Sequence, residues 1–141
     1  MRPVISLHAL DADMATAWAR SFGPAKYVEI IDGDILDGSA GALVSPANSF
    51  GYMDGGIDLA YRSFFGMEIQ RRVQAKIQAE HCGELPVGQA IVVATDHARF
   101  PFLIVAPTMR VPDRIADTVN VYLAFRAANF GRTSPQQLRR K

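Results

Sequence analysis

The stretch Leu43-Val44-Ser45-Pro46-Ala47-Asn48-Ser49-Phe50-Gly51-Tyr52-Met53-Asp54-Gly55-Gly56-Ile57-Asp58 concentrates the residue types that could do chemistry. Residues 42–44 read as the end of a buried strand, the polar, glycine-containing segment after them as a loop, and Ile57 onward as the start of a helix. A loop that enters a helix N-terminus gathers unpaired backbone N–H groups at the positive end of the helix dipole. Its glycines let an anionic group approach the backbone closely. Residues 43–58 are therefore a candidate anion site. A second cluster, Asp32-Gly33-Asp34-Ile35, places carboxylates in a turn at the C-terminal end of another strand, where open α/β sheets put their ligands.

The elements that must position these residues follow from periodicity. Residues 4–7 form a short apolar run that reads as a first strand. Residues 11–20 read as a helix with an acidic start, Met14, Ala17 and Trp18 at helical spacing, and Gly23-Pro24 beyond its end. Residues 28–31 read as the next strand. After the candidate site, residues 58–65 read as a short helix ended by Gly66, and 67–80 as a longer amphipathic one with Met67, Val73 and Ile77 pointing inward. Residues 82–88 form a turn, 89–94 a β-branched strand and 102–106 another strand ended by Pro107. Residues 115–128 have helical period, with Asp117 near the start and Arg126 near the end, as the helix dipole favours. Strands interleaved with helices throughout give an α/β layered class.

Length and composition bound the rest. The 141 residues, 49% of them hydrophobic, suffice for a sizeable core and indicate one domain. The formal charge of +1, from 15 basic and 14 acidic residues, gives no bulk field to attract a nucleic acid or a membrane, so anion binding must be local. One cysteine, Cys82, excludes an intramolecular disulfide, and it reads as a small core or loop residue. Neither Cys82 nor His8, His81 and His97 has metal-ligand spacing. A metal-free, cofactor-free, cytoplasmic protein is expected, with no signal sequence and no membrane span.

Four segments in order carry a resemblance. Gly33-Asp34-Ile35, Val44-Ser45-Pro46-Ala47-Asn48-Ser49, Gly55-Gly56-Ile57-Asp58 and Leu85-Pro86-Val87-Gly88-Gln89-Ala90 together resemble the macro domain family of ADP-ribose-binding modules, over residues 27–128. The resemblance implies a three-layer α/β/α fold with a mixed, largely parallel central sheet. It also implies ADP-ribose or an ADP-ribosylated macromolecule as partner. By the same resemblance Asp34 accepts from the adenine amino group and the Ile35 backbone meets that ring. Asn48 lies beside the distal ribose, Ala47, Gly55, Gly56 and Ile57 belong to the binding loop, and Asp58 orients or activates water in hydrolytic members. Asn48 and Asp58 are thus the candidate catalytic pair.

Each of these residues has a plain structural alternative. Asp34 is suited to capping a turn, Asn48 to a tight turn, and Asp58 to the first turn of a helix; the glycines suit positive φ. Phe50 and Tyr52 either line the pocket or plug the core. Arg71, Arg72 and Lys76 read as a solvated helix face.

The sequence also departs from the family pattern. Ser45 stands where many hydrolytic members have asparagine, and Met53-Asp54 replaces two glycines that often precede Gly55. Asp54 would repel a phosphate on that loop unless it faces outward. Beyond residue 128 the family continues into a strand and a second glycine-rich loop. Residues 129–141 here hold four basic residues, no acid and no such loop, and read as a short, mostly disordered basic tail. Either this is a shortened form, in which case the loss of a strand exposes a sheet edge and self-association through it is expected, or that segment lies outside this sequence. The expected activities are ADP-ribose binding with hydrolysis of an ADP-ribosyl bond, binding alone, or a domain whose nucleotide site is lost.

Overall fold

The computed structural model describes residues 3–130. The expected basic tail lies mostly outside these residues; Asn129 and Phe130 belong to the last helix. The chain divides after Ser39 into two compact units.

In the first unit, strands β1 (Ile5–Ala9) and β2 (Val28–Asp32) pair in parallel, with Ile5 opposite Val28 and Ala9 opposite Asp32. A parallel pair requires a crossover, which helix α1 (Ala12–Phe22) supplies. Asp11 caps that helix by accepting from Met14 N at 2.7 Å. Gly33, at φ +136°, donates its N–H to Ala9 O at 2.9 Å and turns the chain into a 3-10 turn over Ile35–Asp37.

The second unit holds a three-stranded sheet in the order β3 (Ala42–Ser45), β5 (Phe102–Val105), β4 (Ile91–Ala94). The β3–β5 pair is parallel and the β4–β5 pair antiparallel, so the sheet is mixed. Register and the period-two alternation of side chains assign the two faces. Leu43, Ser45, Ile91, Val93, Leu103 and Val105 share one face; Ala42, Val44, Val92, Ala94, Phe102 and Ile104 share the other.

Helix α4 (Asn120–Phe130) covers the second face by packing Ala124 and Ala128 against Ile104, with Ala42 and Val92 beside them. On the first face lie α2 (Gly56–Phe65) and α3 (Glu68–His81), whose Tyr61, Val73 and Ile77 are each 1% exposed. Leu103, at the centre of the sheet, is fully buried; complete burial of such a side chain contributes about 1.5–3 kcal/mol. Helices on both faces of a mixed sheet give this unit the α/β/α layering that the element order implies.

Several expectations are corrected. Met67 precedes α3 and is exposed, because the helix starts at Glu68 and directs Ile69, Val73 and Ile77 inward. Residues 115–119 are not helical. Thr118 Oγ1 donates to Ile115 O at 2.7 Å and accepts from Asn120 N at 3.2 Å, and this local turn delays the helix to Asn120. Gln89 stays in the preceding turn, its N–H bonded to Pro86 O at 3.1 Å, so β4 begins at Ile91.

Arg72 and Lys76 are not simply solvated. Arg72 pairs with Asp96 at 2.8 Å and donates to Ala94 O at 3.1 Å, while Lys76 donates to Val92 O at 2.7 Å. Both side chains occupy carbonyls along β4, an outer strand of its sheet. Cys82 is an exposed loop residue that ends α3 in the left-handed conformation, at φ 53°.

Candidate functional site

Strand β3 leads straight into the loop that carries the candidate residues, and the segment after β5 runs beside it. Ala106 N donates to Ser45 O at 3.0 Å, Thr108 N to Ala47 O at 2.9 Å, and Ser49 N is shared between the carbonyls of Met109 and Arg110 at 3.0 and 3.2 Å. These bonds continue the parallel pairing beyond both strands. Ala47, 2% exposed, is therefore a core residue with its carbonyl occupied.

Helix α3 holds the loop from the other side. The 6%-exposed side chain of Gln70 accepts from Met53 N through Oε1 at 2.9 Å, and Gln74 Nε2 donates to Phe50 O at 3.3 Å. Gly51, at φ +73°, allows this close approach: a Cβ there would lie 2.9 Å from Val73 Cγ1 and 3.0 Å from Ile77 Cδ1.

Asn48 closes its own turn. Its Nδ2 donates to Tyr52 O at 2.8 Å, and its Oδ1 accepts from Phe50 N at 3.1 Å and Tyr52 N at 3.3 Å. The acceptor oxygen is thus fully used, and one amide hydrogen remains.

The loop delivers the chain to α2 through Gly55, in extended conformation, and Gly56, at φ +57°. No side chain caps this helix, and its first internal hydrogen bond runs from Leu59 N to Gly55 O at 3.2 Å. The amides of Gly56, Ile57 and Asp58 have no intrahelical acceptor, which is the arrangement that favours an anion.

Asp58 faces inward, only 6% exposed, and its Oδ1 accepts from Ser45 Oγ at 2.5 Å. Removal from water pushes its carboxyl up from 3.8 to about 6. The Ser45 hydrogen bond acts in the opposite direction, and the Asp54 carboxylate adds to the rise. Beside α2, Tyr61 anchors the helix to β3 by donating to Val44 O at 3.0 Å.

A cleft of about 170 Å³ opens next to this loop, lined by Asn48, Phe50, Tyr52, Asp54, Arg110, Val111 and Pro112. Phe50 and Tyr52 are therefore lining residues. Asp54 lines the cleft as well and precedes Gly55 directly, so its negative charge stands next to the loop that leads into α2.

Asp34 and Ile35 belong to the first unit. Asp34 is exposed and caps the 3-10 turn by accepting from Leu36 N at 2.9 Å, which leaves its second carboxylate oxygen available. Ile35 opens that turn and is half-buried. Among the described residues, no cluster of three or more His, Cys, Asp or Glu side chains could hold a metal ion, and no helix is long and apolar enough to cross a membrane.

Sequence reasoning did not single out Gln70 or Arg110, and it treated Ser45 only as a departure. Two of the three carried a readable signal. Ser45 has the strand parity of buried Leu43, and Gln70 lies between Ile69 and Val73 on an apolar helix stripe. A polar residue on a buried face needs a partner. Arg110 had no such pattern around it.

The Macro domain family model matches residues 44–129. An uncharacterized protein of Aquifex aeolicus (strain VF5) is 33% identical over 101 residues, covering 72% of this chain and 58% of its own length. The chain spans about half the length of the curated relatives it matches. Among solved structures, the macrodomain of Mycobacterium tuberculosis DarG superposes with a TM-score of 0.52 at 25% identity, over 67% of this chain and 60% of that one. A mutant macrodomain of Oceanobacillus iheyensis, determined with ADPR, shares the fold with a TM-score of 0.55 at 23% identity, over 68% of this chain and 53% of that one. The uncapped glycine-led helix and the matched sequence coincide, and the chain belongs to the Macro domain family.

Proposed function

We propose that this chain binds ADP-ribose, free or attached to a macromolecule. The observation that carries the reading is the N-terminus of α2, where Gly56 at positive φ opens a helix whose first three amides, of Gly56, Ile57 and Asp58, have no intrahelical partner. Family membership and the ADPR-bound relative of the same fold support it. In this reading the loop at Gly55, Gly56 and Ile57 meets phosphate, with the Gly56 and Ile57 amides as donors, and Asn48 offers its remaining amide hydrogen to a ribose hydroxyl.

Hydrolysis of an ADP-ribosyl bond is the finer reading. Asp58, with its carboxyl raised to about 6, is suited to proton transfer near neutral pH and to orienting water, without a metal or a covalent intermediate. Recognition without turnover is favoured by the burial of that carboxylate under Ser45 and by the internal use of the Asn48 amide.

A calorimetric titration of ADP-ribose, with AMP as the control for simple adenine binding, tests recognition. Micromolar or tighter binding, about 8 kcal/mol or more, is expected; no heat above the AMP control would refute it. Asp58→Ala should abolish turnover while leaving much of the affinity, and persistent turnover would remove Asp58 from the mechanism. Self-association through a sheet edge belongs to the same proposal. A light-scattering mass of one chain would count against it.

A further inference from the structure

The cleft contains an electrostatic contradiction for the proposed ligand. Asp54 lines it, and a diphosphate brought to the neighbouring glycines would meet that carboxylate at short range. Asp54 and Arg110 are the only charged residues among the lining set.

We infer that Arg110 is the counter-charge of this site: its guanidinium contacts the ligand's diphosphate and sets the preference for anionic ligands, and Glu84 moderates that contact by competing for the same group. The inference rests on the ADP-ribose reading above.

Three constraints place Arg110. Its backbone carbonyl, with that of Met109, receives Ser49 N, which fixes the segment beside the loop. Its guanidinium carbon lies 5.1 Å from the centroid of the Phe50 ring, a stacking distance that holds the planar group against the cleft wall. Its Nε donates to Glu84 Oε1 at 2.6 Å. Glu84 is itself held close, because the next residue donates from Leu85 N to Ser49 O at 2.8 Å.

Only Nε is used in these contacts. The terminal amino groups of Arg110 make no hydrogen bond among the described residues, and they are the fork that binds phosphate oxygens in bidentate fashion. The Arg110 side chain is 66% exposed and that of Glu84 42%, so the pair is open to exchange with an anion and sensitive to salt.

The test is calorimetric titration of ADP-ribose into the wild-type chain, Arg110→Gln and Glu84→Gln at low and high salt, with circular dichroism to verify folding. Arg110→Gln should weaken binding about tenfold or more, as loss of a hydrogen bond to a charged group does, and should flatten the salt dependence. Glu84→Gln should strengthen binding several-fold and leave the salt dependence in place. A folded Arg110→Gln within twofold of wild type would overturn the inference while leaving ADP-ribose recognition intact. A loss with unchanged salt dependence would also overturn it, reducing Arg110 to a clasp for Phe50. Unchanged affinity in Glu84→Gln would remove Glu84 from the scheme. If the wild-type chain binds no ADP-ribose, the underlying reading fails and the inference falls with it.

Discussion

Substituting Asp58→Asn separates the cost of burying a charge from the geometry that buries it. Asparagine keeps the shape of the side chain and an oxygen that accepts from Ser45 Oγ, but it does not titrate. In the wild-type protein the Asp58 carboxyl moves from 3.8 to about 6, so between those values the native state holds a proton that the unfolded chain has lost. Stability therefore falls as pH rises through this window, and the loss is complete above about pH 6. At about 1.4 kcal/mol for each pH unit, the difference between 3.8 and about 6 amounts to about 3 kcal/mol.

The variant should match wild type near pH 4 and exceed it by about 3 kcal/mol at pH 7.5, a rise in Tm on the order of 10 °C. Thermal melts of both proteins from pH 4 to 7.5 measure this, and the difference between the two curves removes the contribution of every other titrating group. Ser45→Ala should push the Asp58 carboxyl higher still, because the hydroxyl is the contact that stabilises the charged form. Parallel melting curves for wild type and Asp58→Asn across the whole range would refute the reasoning.

Two predictions concern the attachment of the loop to α3. Gly51→Ala should destabilise the protein by about 1–3 kcal/mol, since φ +73° disfavours a side chain and the new methyl would lie 2.9 Å from Val73 Cγ1; an unchanged Tm would show that the helix moves aside freely. Gln70→Ala leaves Met53 N without its acceptor and should cost about 1–3 kcal/mol. Hydrogen exchange at the Met53 amide should accelerate at least tenfold, and wild-type protection there would mean that another group accepts the bond.

The features legible along the chain are local ones. The continuous apolar run of residues 102–105, the helical spacing of Val73 and Ile77, and the passage from strand through glycines into a helix are properties of neighbouring residues, and each is visible along the chain. The order of four such segments was also enough to indicate the family. Boundaries were less legible: Thr118 and Gln89 use hydrogen bonds of their own to hold residues out of a helix and a strand that periodicity extends.

Tertiary structure decided the chemistry of the site. Ser45 and Asp58 are 13 residues apart, Met53 and Gln70 are 17 apart, and Arg110 reaches the Phe50 ring from the segment that follows β5. No local period relates such pairs. It also decided that the Asn48 amide closes its own loop, and that Asp58, suited by sequence to a helix's first turn, has its carboxylate buried instead of solvated. Burial and partner charge set a carboxyl's proton affinity, and both depend on which elements pack together.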